Sequence, residues 1–455
     1  MTQKKFDTLP LNQALLNNLT LLKYALMTPI QAESLPLILN GQDLIAQAKT
    51  GSGKTAAFGL GILNRLNLKF FGAQALVICP TRELAEQVSQ SIRQLARQMP
   101  NVKIINLSGG MPMKAQLDSL KYGAHIIVGT PGRILKHLDK ATLDISQLST
   151  LVLDEADRML DMGFSDALNA IINRTPARRQ TLMFSATFPD TIKNLAKQYL
   201  TKPSTIMIES AVEDNAIEEL FYKATSSEKP NLLTSLIAHH QPSSVLIFCN
   251  TKQMTTEINS HLKANGYTVK CLNGDMEQVD RDLAMIQFSN LSCPILVATD
   301  VAARGLDIHA LPLVINYELA FDMETHTHRI GRTGRAGQKG LAISLVSPNQ
   351  MHLLPHEHVF WSHADKLSPT EMSSKIPTML TLNLDLGKKD KLRPGDILGT
   401  LVKDVGIPVE AIGKINILPL RSYVAIRNEL AKKVCHALSN KTIKGMPVKT
   451  RIIGC

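Results

Sequence analysis

The chain has 455 residues, 44% apolar and 20% charged, with a net charge of +11, which suits two or three globular domains and excludes a disordered or fibrous protein. No apolar run approaches the roughly 18 residues that span a bilayer, and the first residues lack the apolar core of a signal peptide. Because the six cysteines form no CxxC pair either, we expect a cytoplasmic protein without membrane association, zinc site or disulfide framework.

Up to about residue 348, short runs rich in Val, Ile and Leu alternate with amphipathic stretches. This alternation is typical of parallel sheets covered by helices. The first group of predicted strands covers residues 43–48, 75–79, 126–129, 151–154 and 181–184. The second group covers residues 245–249, 295–299, 314–317 and 341–346. The polar stretch 210–215 between the groups is predicted to link two similar α/β domains.

A glycine-rich segment follows the first predicted strand and opens a helix. Its residues are Ala48, Lys49, Thr50, Gly51, Ser52, Gly53, Lys54 and Thr55. Backbone N–H groups at such a helix start favour a polyphosphate, Lys54 can reach its β and γ phosphates, and Thr55 can hold Mg²⁺. The usual first glycine is replaced by Ala48, and the alternative is a glycine-rich turn without a ligand.

A pair of carboxylates follows the predicted strand that ends near residue 154. Asp154 is expected to hold Mg²⁺ through water, and Glu155 to orient or deprotonate the attacking water. Acidic residues at an exposed helix start are the alternative. That alternative does not account for a pair that lies where it can face a phosphate-binding loop.

Residues 154–157 read Asp-Glu-Ala-Asp, and the chain thereby resembles the DEAD-box helicases over about its first 350 residues. The resemblance implies that residues 80–85, 109–110 and 130–133 grip the RNA backbone. The RNA contacts implied there are Arg82, Gly110, Thr130 and Arg133. Ser185 and Thr187 resemble the motif that couples ATP hydrolysis to strand separation.

Upstream residues resemble the adenine-binding motif of the same family. Gln31 would form two hydrogen bonds with adenine, Tyr24 would stack on the ring, and Thr28 belongs to the same motif. A planar base needs a flat apolar partner, and an amide offers both a donor and an acceptor. Lys23 and Met27 replace the usual glycine and proline, and an ordinary helix-start residue is the alternative for Gln31.

The second domain contains arginines separated by glycines in residues 328–335. An arginine at the γ-phosphate stabilises the charge that develops during phosphoryl transfer. The resemblance assigns this task to Arg332 and Arg335 and places His328 and Arg329 near the coupling contacts. A solvent-facing basic helix is the alternative.

Other motifs of the second domain are assigned by the same resemblance. Thr299 would contact RNA phosphates and Asp307 the ATP ribose, while Gln278 and Arg281 match a further RNA motif in which Asn273 replaces the usual histidine. Because the catalytic parts come from two domains, we expect ATP hydrolysis only when the domains close.

From about residue 348 the pattern weakens into a segment with Trp361 and four histidines. No Cys or acidic partner completes a metal-ligand spacing, so a packing helix and a linker are expected rather than a metal site. The predicted domains are residues 1–209 and 210–365, both RecA-like, a linker at 366–376, and a small α+β domain at 377–455.

The last domain is strongly basic, since residues 376–455 contain 14 Lys and Arg against 6 Asp and Glu. Residues 386–399, 412–415 and 443–445 resemble the DbpA-type RNA-binding domain, which implies an RNA-recognition-motif-like sheet. Lys414 and Arg421 are candidate RNA contacts, and Tyr423 is either a base-stacking platform or a half-buried strand aromatic. The resemblance implies a 23S ribosomal RNA hairpin as the ligand.

These motifs together predict an ATP- and Mg²⁺-dependent RNA helicase that separates short duplexes. It would be a monomer that acts on 23S ribosomal RNA in pre-50S particles during large-subunit assembly. The alternatives are a non-catalytic RNA clamp and a DNA helicase. The retained Lys54, Thr55, Asp154, Glu155 and Arg335 disfavour the first. The adenine motif and the C-terminal domain disfavour the second.

Overall fold

The computed structural model describes the chain except residues 1–3, 49–50, 209–216, 304–310, 335–338, 355–358, 364–366, 368–376, 440 and 455. The chain divides near residue 213 into two compact units. The first contains one sheet domain, and the second contains another sheet domain and the small C-terminal domain. Within the described ranges, no helix has both the length and the apolar character needed to cross a bilayer.

The first domain is a seven-stranded parallel sheet in the order β3-β4-β2-β5-β6-β1-β7. Its strands are β1 Leu44–Gln47, β2 Ala75–Ile78, β3 Ile104–Leu107, β4 Ile126–Gly129, β5 Thr150–Leu153, β6 Gln180–Ser185 and β7 Ser204–Met207. Its helices are α1 Gln13–Leu21, α2 Pro29–Leu39, α3 Lys54–Arg65, α4 Arg82–Leu95, α5 Met113–Leu120, α6 Pro131–Asp139, α7 Ala156–Asp161, α8 Ser165–Ile172 and α9 Asp190–Tyr199. Successive residues of β2 enter different cores, since Val77 belongs to one buried cluster and Leu76 and Ile78 to another.

The second sheet domain repeats this architecture in the order β10-β11-β9-β12-β13-β8-β14, again with parallel pairs. Its strands are β8 Ile217–Lys223, β9 Val245–Cys249, β10 Val269–Leu272, β11 Ile295–Thr299, β12 Leu313–Asn316, β13 Gly340–Val346 and β14 Trp361–Ser362. Its helices are α10 Lys229–His240, α11 Lys252–Ala264, α12 Gln278–Ser289, α13 Asp300–Ala303 and α14 Met323–Ile330. In both domains the parallel order brings the carboxyl ends of the strands to one edge, where ligands bind in such folds.

The C-terminal domain is a four-stranded antiparallel sheet in the order β16-β17-β15-β20 with a separate hairpin. Its strands are β15 Met379–Leu384, β16 Ile412–Ile417, β17 Ser422–Arg427, β18 Thr442–Ile443, β19 Met446–Pro447 and β20 Thr450–Ile453. Its helices are α15 Pro394–Gly399 and α16 Asn428–Ser439. One sheet face packs into a core that includes Leu382, Val424 and Ile426 together with Val434 of α16.

The predicted fold class is confirmed: two parallel α/β domains are followed by a small α+β domain. Each strand predicted from an apolar run is present, with ends that either agree or differ by one residue. The segment after residue 348 differs from the prediction. Residues Pro348–Leu353 form only a short 3₁₀ helix, and Trp361 lies on β14, which pairs with β8. His356, His358 and most of the predicted linker lie outside the described residues.

Candidate nucleotide and RNA site

The phosphate-loop segment turns sharply between β1 and α3. Gly51 has a φ of 84° and Gly53 a φ of 95°, values that favour glycine. Lys54 begins α3 and is buried, with its Nζ donating a hydrogen bond of 2.8 Å to the carbonyl oxygen of Ala48. The Lys54 ammonium is thereby held inside the loop. Lys49 and Thr50 lie outside the described residues.

Gln31 joins the adenine motif directly to this loop. Its Oε1 accepts a hydrogen bond from the backbone N–H of Thr28, and its Nε2 donates to the carbonyl oxygen of Gly53 at 3.1 Å. The first contact is half of a capping box that starts α2, in which Pro29 occupies the first turn. A Cβ on Gly53 would lie 2.4 Å from Nε2 of Gln31, so the contact needs glycine there.

A cavity of about 290 Å³ lies beside these groups. The predicted nucleotide residues in its wall are Tyr24, Thr28, Gln31, Gly51, Gly53 and Thr55. The ring of Tyr24 is partly exposed and meets that of Phe6 edge to face, with a centroid distance of 6.2 Å. The structure therefore brings the residues predicted for adenine and for phosphate to the same cavity.

Asp154 follows β5 and is 3% exposed. Burial raises its pKa from 3.8 to about 7, against the opposing effect of the Lys54 ammonium. Its Oδ1 and the Oγ of Ser52 have no hydrogen-bond partner among the residues that the structure describes. Glu155 has a φ of 52° and caps α7. A buried carboxylate oxygen without a hydrogen-bond partner fits a hydrated cation.

Mg²⁺ prefers oxygen ligands and keeps several waters, so it needs few protein ligands when phosphates are present. In the described part of the chain no group of three or more His, Cys, Asp and Glu side chains could hold a metal alone. Asp154 and Thr55 therefore fit a cation that is shared with a polyphosphate.

Asp157 connects this strand end to the predicted coupling motif. Its Oδ2 accepts hydrogen bonds from the backbone N–H groups of Ala186 and Thr187 and from Oγ1 of Thr187, all within 3.0 Å. Ser185 ends β6, which lies next to β1, and its carbonyl oxygen accepts a hydrogen bond from the N–H of Ala48. Ser185 thus lies directly beside the phosphate loop, and Thr187 is held by Asp157.

The RNA contacts predicted in the first domain cluster at the ends of β2, β3 and β4. A Cβ on Gly109 would lie 3.0 Å from Nε of Arg82. Arg133 donates to Oε1 of Gln116 at 2.7 Å and to the carbonyl oxygen of Met111. Burial, followed by the nearby charge of Arg82, lowers the pKa of Arg133. The two guanidinium groups therefore share one electropositive region, as a phosphate ligand requires.

In the second domain, Arg329 is almost fully buried and ties the strand ends together. It forms a two-point ion pair with Asp300, at 2.7 Å for each contact, and donates to Oδ1 of Asn250 and to the carbonyl oxygen of Glu318. Such planar, two-point contacts hold a guanidinium in one orientation. Arg329 therefore fixes the start of the arginine-rich segment. The sequence predicted only that Arg329 lies near the coupling contacts.

The remaining predicted residues of this domain surround that anchor. Thr299 ends β11 immediately before Asp300, and Gln278 and Arg281 lie in the first turn of α12. His328 and Arg332 are partly exposed, at the end of α14 and just after it. Asp307 and Arg335 lie outside the described residues, so their assignments remain predictions.

One candidate in the C-terminal domain is corrected by the structure. Tyr423 is only 4% exposed, which leaves no open ring face for a base. Lys414 and Arg421 are exposed, as RNA contacts would require.

Sequence reasoning missed several residues of these sites. Ser91, Gln94 and Leu95 of α4 line the nucleotide cavity, Gln116 positions Arg133, and Asp157 holds the coupling motif. The first four carry no local pattern that separates them from ordinary helix residues. Asp157 is part of the Asp-Glu-Ala-Asp motif, and its place there was the available signal.

Comparison with known proteins agrees with this arrangement. The DEAD/DEAH box helicase family matches residues 28–195, the helicase conserved C-terminal domain residues 228–337 and the DbpA RNA binding domain residues 381–452. The chain is 49% identical to the ATP-dependent RNA helicase DbpA of Escherichia coli, over 98% of this chain and 99% of that protein. It is 37% identical to the protein of the same name from Bacillus subtilis, over 98% of both.

Solved structures include a similar protein, S. cerevisiae Dbp5 bound to RNA and ADP BeF3. It is 32% identical with a TM-score of 0.72, over 80% of this chain and 96% of that one.

Proposed function

The chain belongs to the DEAD-box ATP-dependent RNA helicases with a DbpA-type RNA-binding domain, and from this we propose that it locally unwinds a hairpin region of 23S ribosomal RNA. The observation that carries the catalytic part is the cavity that unites Tyr24 and Gln31 with the phosphate loop, beside the buried Asp154. The choice of ribosomal RNA as the target is supported by the basic C-terminal domain.

ATP binding would exchange two internal contacts for contacts with the nucleotide. Adenine would take the Gln31 amide from the Gly53 carbonyl and stack on Tyr24. The phosphates would draw the Lys54 ammonium from the Ala48 carbonyl. Both exchanges begin from hydrogen bonds of ordinary length, so the nucleotide meets groups that are already oriented.

Hydrolysis would depend on charges placed around the terminal phosphate. Thr55 and Asp154 would hold Mg²⁺, which neutralises charge on the phosphate oxygens when it is bound. Glu155 would orient the attacking water and accept its proton, and Lys54 would stabilise the phosphate oxygens. Arg332 and Arg335 of the second domain would complete the site, and Asp307 would contact the ribose.

RNA binding would be linked to this chemistry through closure of the two sheet domains. Arg82, Gly110, Thr130 and Arg133 of the first domain would grip the RNA backbone. Gln278, Arg281 and Thr299 would do so from the second, with His328 near the coupling contacts. If ATP and single-stranded RNA both favour the closed state, each raises the affinity for the other. The hydrogen bonds from Ala186 and Thr187 to Asp157 would transmit a conformational change at the phosphate loop to the RNA-binding residues.

The C-terminal domain would select the RNA target. Its net charge of +8, from 14 basic and 6 acidic residues, suits a polyanion, whereas backbone contacts in the core carry little sequence information. We infer that it directs a monomeric, cytoplasmic enzyme to a 23S hairpin in pre-50S particles during large-subunit assembly.

The proposal is tested by comparing the full chain with a chain that ends at Lys375. The shortened chain keeps the motifs of both sheet domains and should retain ATPase activity, stimulated by many RNAs at high concentration. It should lose the preference for the ribosomal hairpin over an unrelated hairpin of equal length. Equal discrimination by the two chains would place specificity in the core and contradict the proposal.

A second experiment separates an enzyme from a non-catalytic clamp. Lys54→Ala and Glu155→Gln should each abolish RNA-stimulated ATP hydrolysis, while circular dichroism and RNA binding without nucleotide stay close to wild type. An ATPase rate close to wild type in either variant would contradict the site assignment.

A further inference from the structure

We propose that the first sheet domain has a second RNA-binding surface, which binds single-stranded RNA that extends beyond the RNA motifs of this domain. The surface lies in the loops 66–74, 96–103 and 121–125, which precede β2, β3 and β4, whereas those motifs follow the same three strands. We call it the amino-edge surface, and its residues are Lys69, Phe70, Phe71, Lys103, Lys121 and Tyr122. The inference goes beyond the proposed function, because it does not depend on a ribosomal target.

Three aromatic rings of this surface are open to solvent. Tyr122 is 72% exposed, and Phe70 and Phe71 are 40% and 45% exposed. They come from two loops that meet, since Gly123 has a φ of 68° and a Cβ there would collide with the carbonyl oxygen of Phe71. Single exposed rings are common, but a group of them on one surface is typical of an interaction site.

A buried histidine holds the three loops together. Nδ1 of His125 accepts a hydrogen bond of 3.0 Å from the backbone N–H of Lys103. Nε2 lies 3.3 Å from the carbonyl oxygen of Leu68, and it donates there because a carbonyl oxygen can only accept. Burial lowers the pKa of His125, which favours this neutral form. Its ring also packs against that of Phe71, with a centroid distance of 4.6 Å. The loops are therefore fixed before a ligand binds, which lowers the entropy cost of binding.

Cations surround the exposed rings. Nζ of Lys103 lies 5.6 Å from the centroid of the Tyr122 ring, and Nζ of Lys121 lies 5.9 Å from it. The three loops contain four Lys and Arg residues and no Asp or Glu. Within the described ranges, none of the lysines of the amino-edge surface forms an ion pair with a carboxylate. The surface is therefore electropositive and suits an anionic ligand.

Exposed rings beside cations match the chemistry of single-stranded RNA. Bases stack on aromatic rings, and phosphates pair with Lys and Arg. A base that replaced a lysine over Tyr122 would gain more than the exposed cation–π contact contributes, and the lysine could then contact the adjacent phosphate. RNA held by the motifs of this domain also brings its own extension to the surface at a high effective concentration. An acidic protein segment has the charge but neither the stacking bases nor this linkage.

The distance between the two edges of the sheet fits such an extension. Strands β2, β3 and β4 have four residues each, which separates their ends by about 13 Å. A stacked strand rises about 3.4 Å per nucleotide. A strand of about 5 nucleotides centred on the RNA motifs therefore reaches about 9 Å to each side, and one of about 20 nucleotides reaches about 34 Å. Only the longer strand can reach the amino-edge surface.

Binding of these two unstructured strands to the full chain tests the surface, in the presence of an ATP analogue that is not hydrolysed. Lys69→Glu with Lys121→Glu should weaken binding of the long strand at least about tenfold. The slope of log affinity against log salt should become shallower by about 1.4, which is about 0.7 for each lost phosphate contact. Binding of the short strand should stay within about twofold of wild type. The matched control, Lys193→Glu with Lys197→Glu on exposed positions of α9, makes the same charge change and should alter both affinities less than about threefold.

Substitutions of Tyr122 test stacking separately from charge. Tyr122→Ala should weaken binding of the long strand at least about fivefold, whereas Tyr122→Phe keeps the ring and should bind as wild type does. Circular dichroism checks that each variant is folded. Equal weakening of the short and the long strand would show damage to the core, and an unchanged affinity for the long strand would leave the exposed rings to a protein partner. Either result would overturn the inference.

Discussion

Replacement of Asp154 by Asn should stabilise the nucleotide-free first domain at high pH while removing its activity. The carboxyl group is buried, and its pKa rises from 3.8 to about 7 because the charged form is poorly solvated. The folded state therefore holds this proton more tightly than the unfolded chain. Its stabilising contribution is complete below pH 3.8 and is lost as the pH rises towards 7.

The magnitude follows from this pKa shift. One pKa unit corresponds to about 1.4 kcal/mol, so ionisation of Asp154 between pH 5 and pH 7 costs the folded state about 3 kcal/mol. Asparagine carries no charge at either pH. The gain in the free energy of unfolding on Asp154→Asn should therefore be about 3 kcal/mol larger at pH 8 than at pH 5. Any constant effect of the amide cancels in this difference.

Cys79 offers a readout for the first domain alone. It is fully buried, and the other cysteines lie at or beyond residue 249. Urea unfolding in a chelating buffer without nucleotide would be followed by pulse labelling of the Cys79 thiol and mass spectrometry. Asp166→Asn, on an exposed helix start, is the control and should show no such pH dependence. If Asp154→Asn changed the stability equally at pH 5 and pH 8, the buried charge would not be the cause.

Three further substitutions test other contacts. Gly53→Ala should weaken ATP binding at least about tenfold. A φ of 95° costs a residue with a side chain about 1–2 kcal/mol, and the methyl group would displace the Gln31 amide. An unchanged Kd for a fluorescent ATP analogue would contradict this prediction. Asp157→Asn should lower duplex unwinding per ATP hydrolysed, because the amide cannot accept hydrogen bonds at both of the original oxygen positions. If the unwinding rate and the ATPase rate fell by the same factor, coupling through Thr187 would be contradicted. Arg335→Ala should leave ATP affinity without RNA close to wild type but slow turnover by at least about a thousandfold, and an equal fall in affinity would exclude the role at the γ-phosphate.

The strands that the sequence identified differ in kind from those that it did not. Runs such as 75–79 and 245–249 became central strands that are buried on both faces, where a continuous apolar run is required. Strands β3, β7, β10 and β14 occupy the sheet edges, and β8 lies next to one. Polar or half-exposed residues, such as those in the first half of β8, give a weaker apolar signal. Edge strands were therefore missed because their burial depends on neighbours and not on their own composition.

The residues proposed to bind the nucleotide could be located from the sequence because the elements that hold them are local. A glycine-rich turn between a strand and a helix, and acidic residues just after another strand, reach the same edge in any parallel sheet. The partners of those residues could not be predicted, since Gln31 meets Gly53 across 22 positions and Asp157 meets Thr187 across 30. Whether such contacts form depends on how the helices and loops pack against the sheet.

The sequence by itself determined the order of the three domains, the parallel class of the first two, the position of the phosphate loop and the charge of the last domain. These properties follow from local periodicity, turn chemistry and composition. Only the tertiary structure decided that the C-terminal sheet face that carries Tyr423 is covered. The strand pattern around Tyr423 is the same for a free face and a covered one. The difference is made by Asn290 and Ser292, which lie about 90 residues earlier in the chain and contact Thr381 only after both domains have folded.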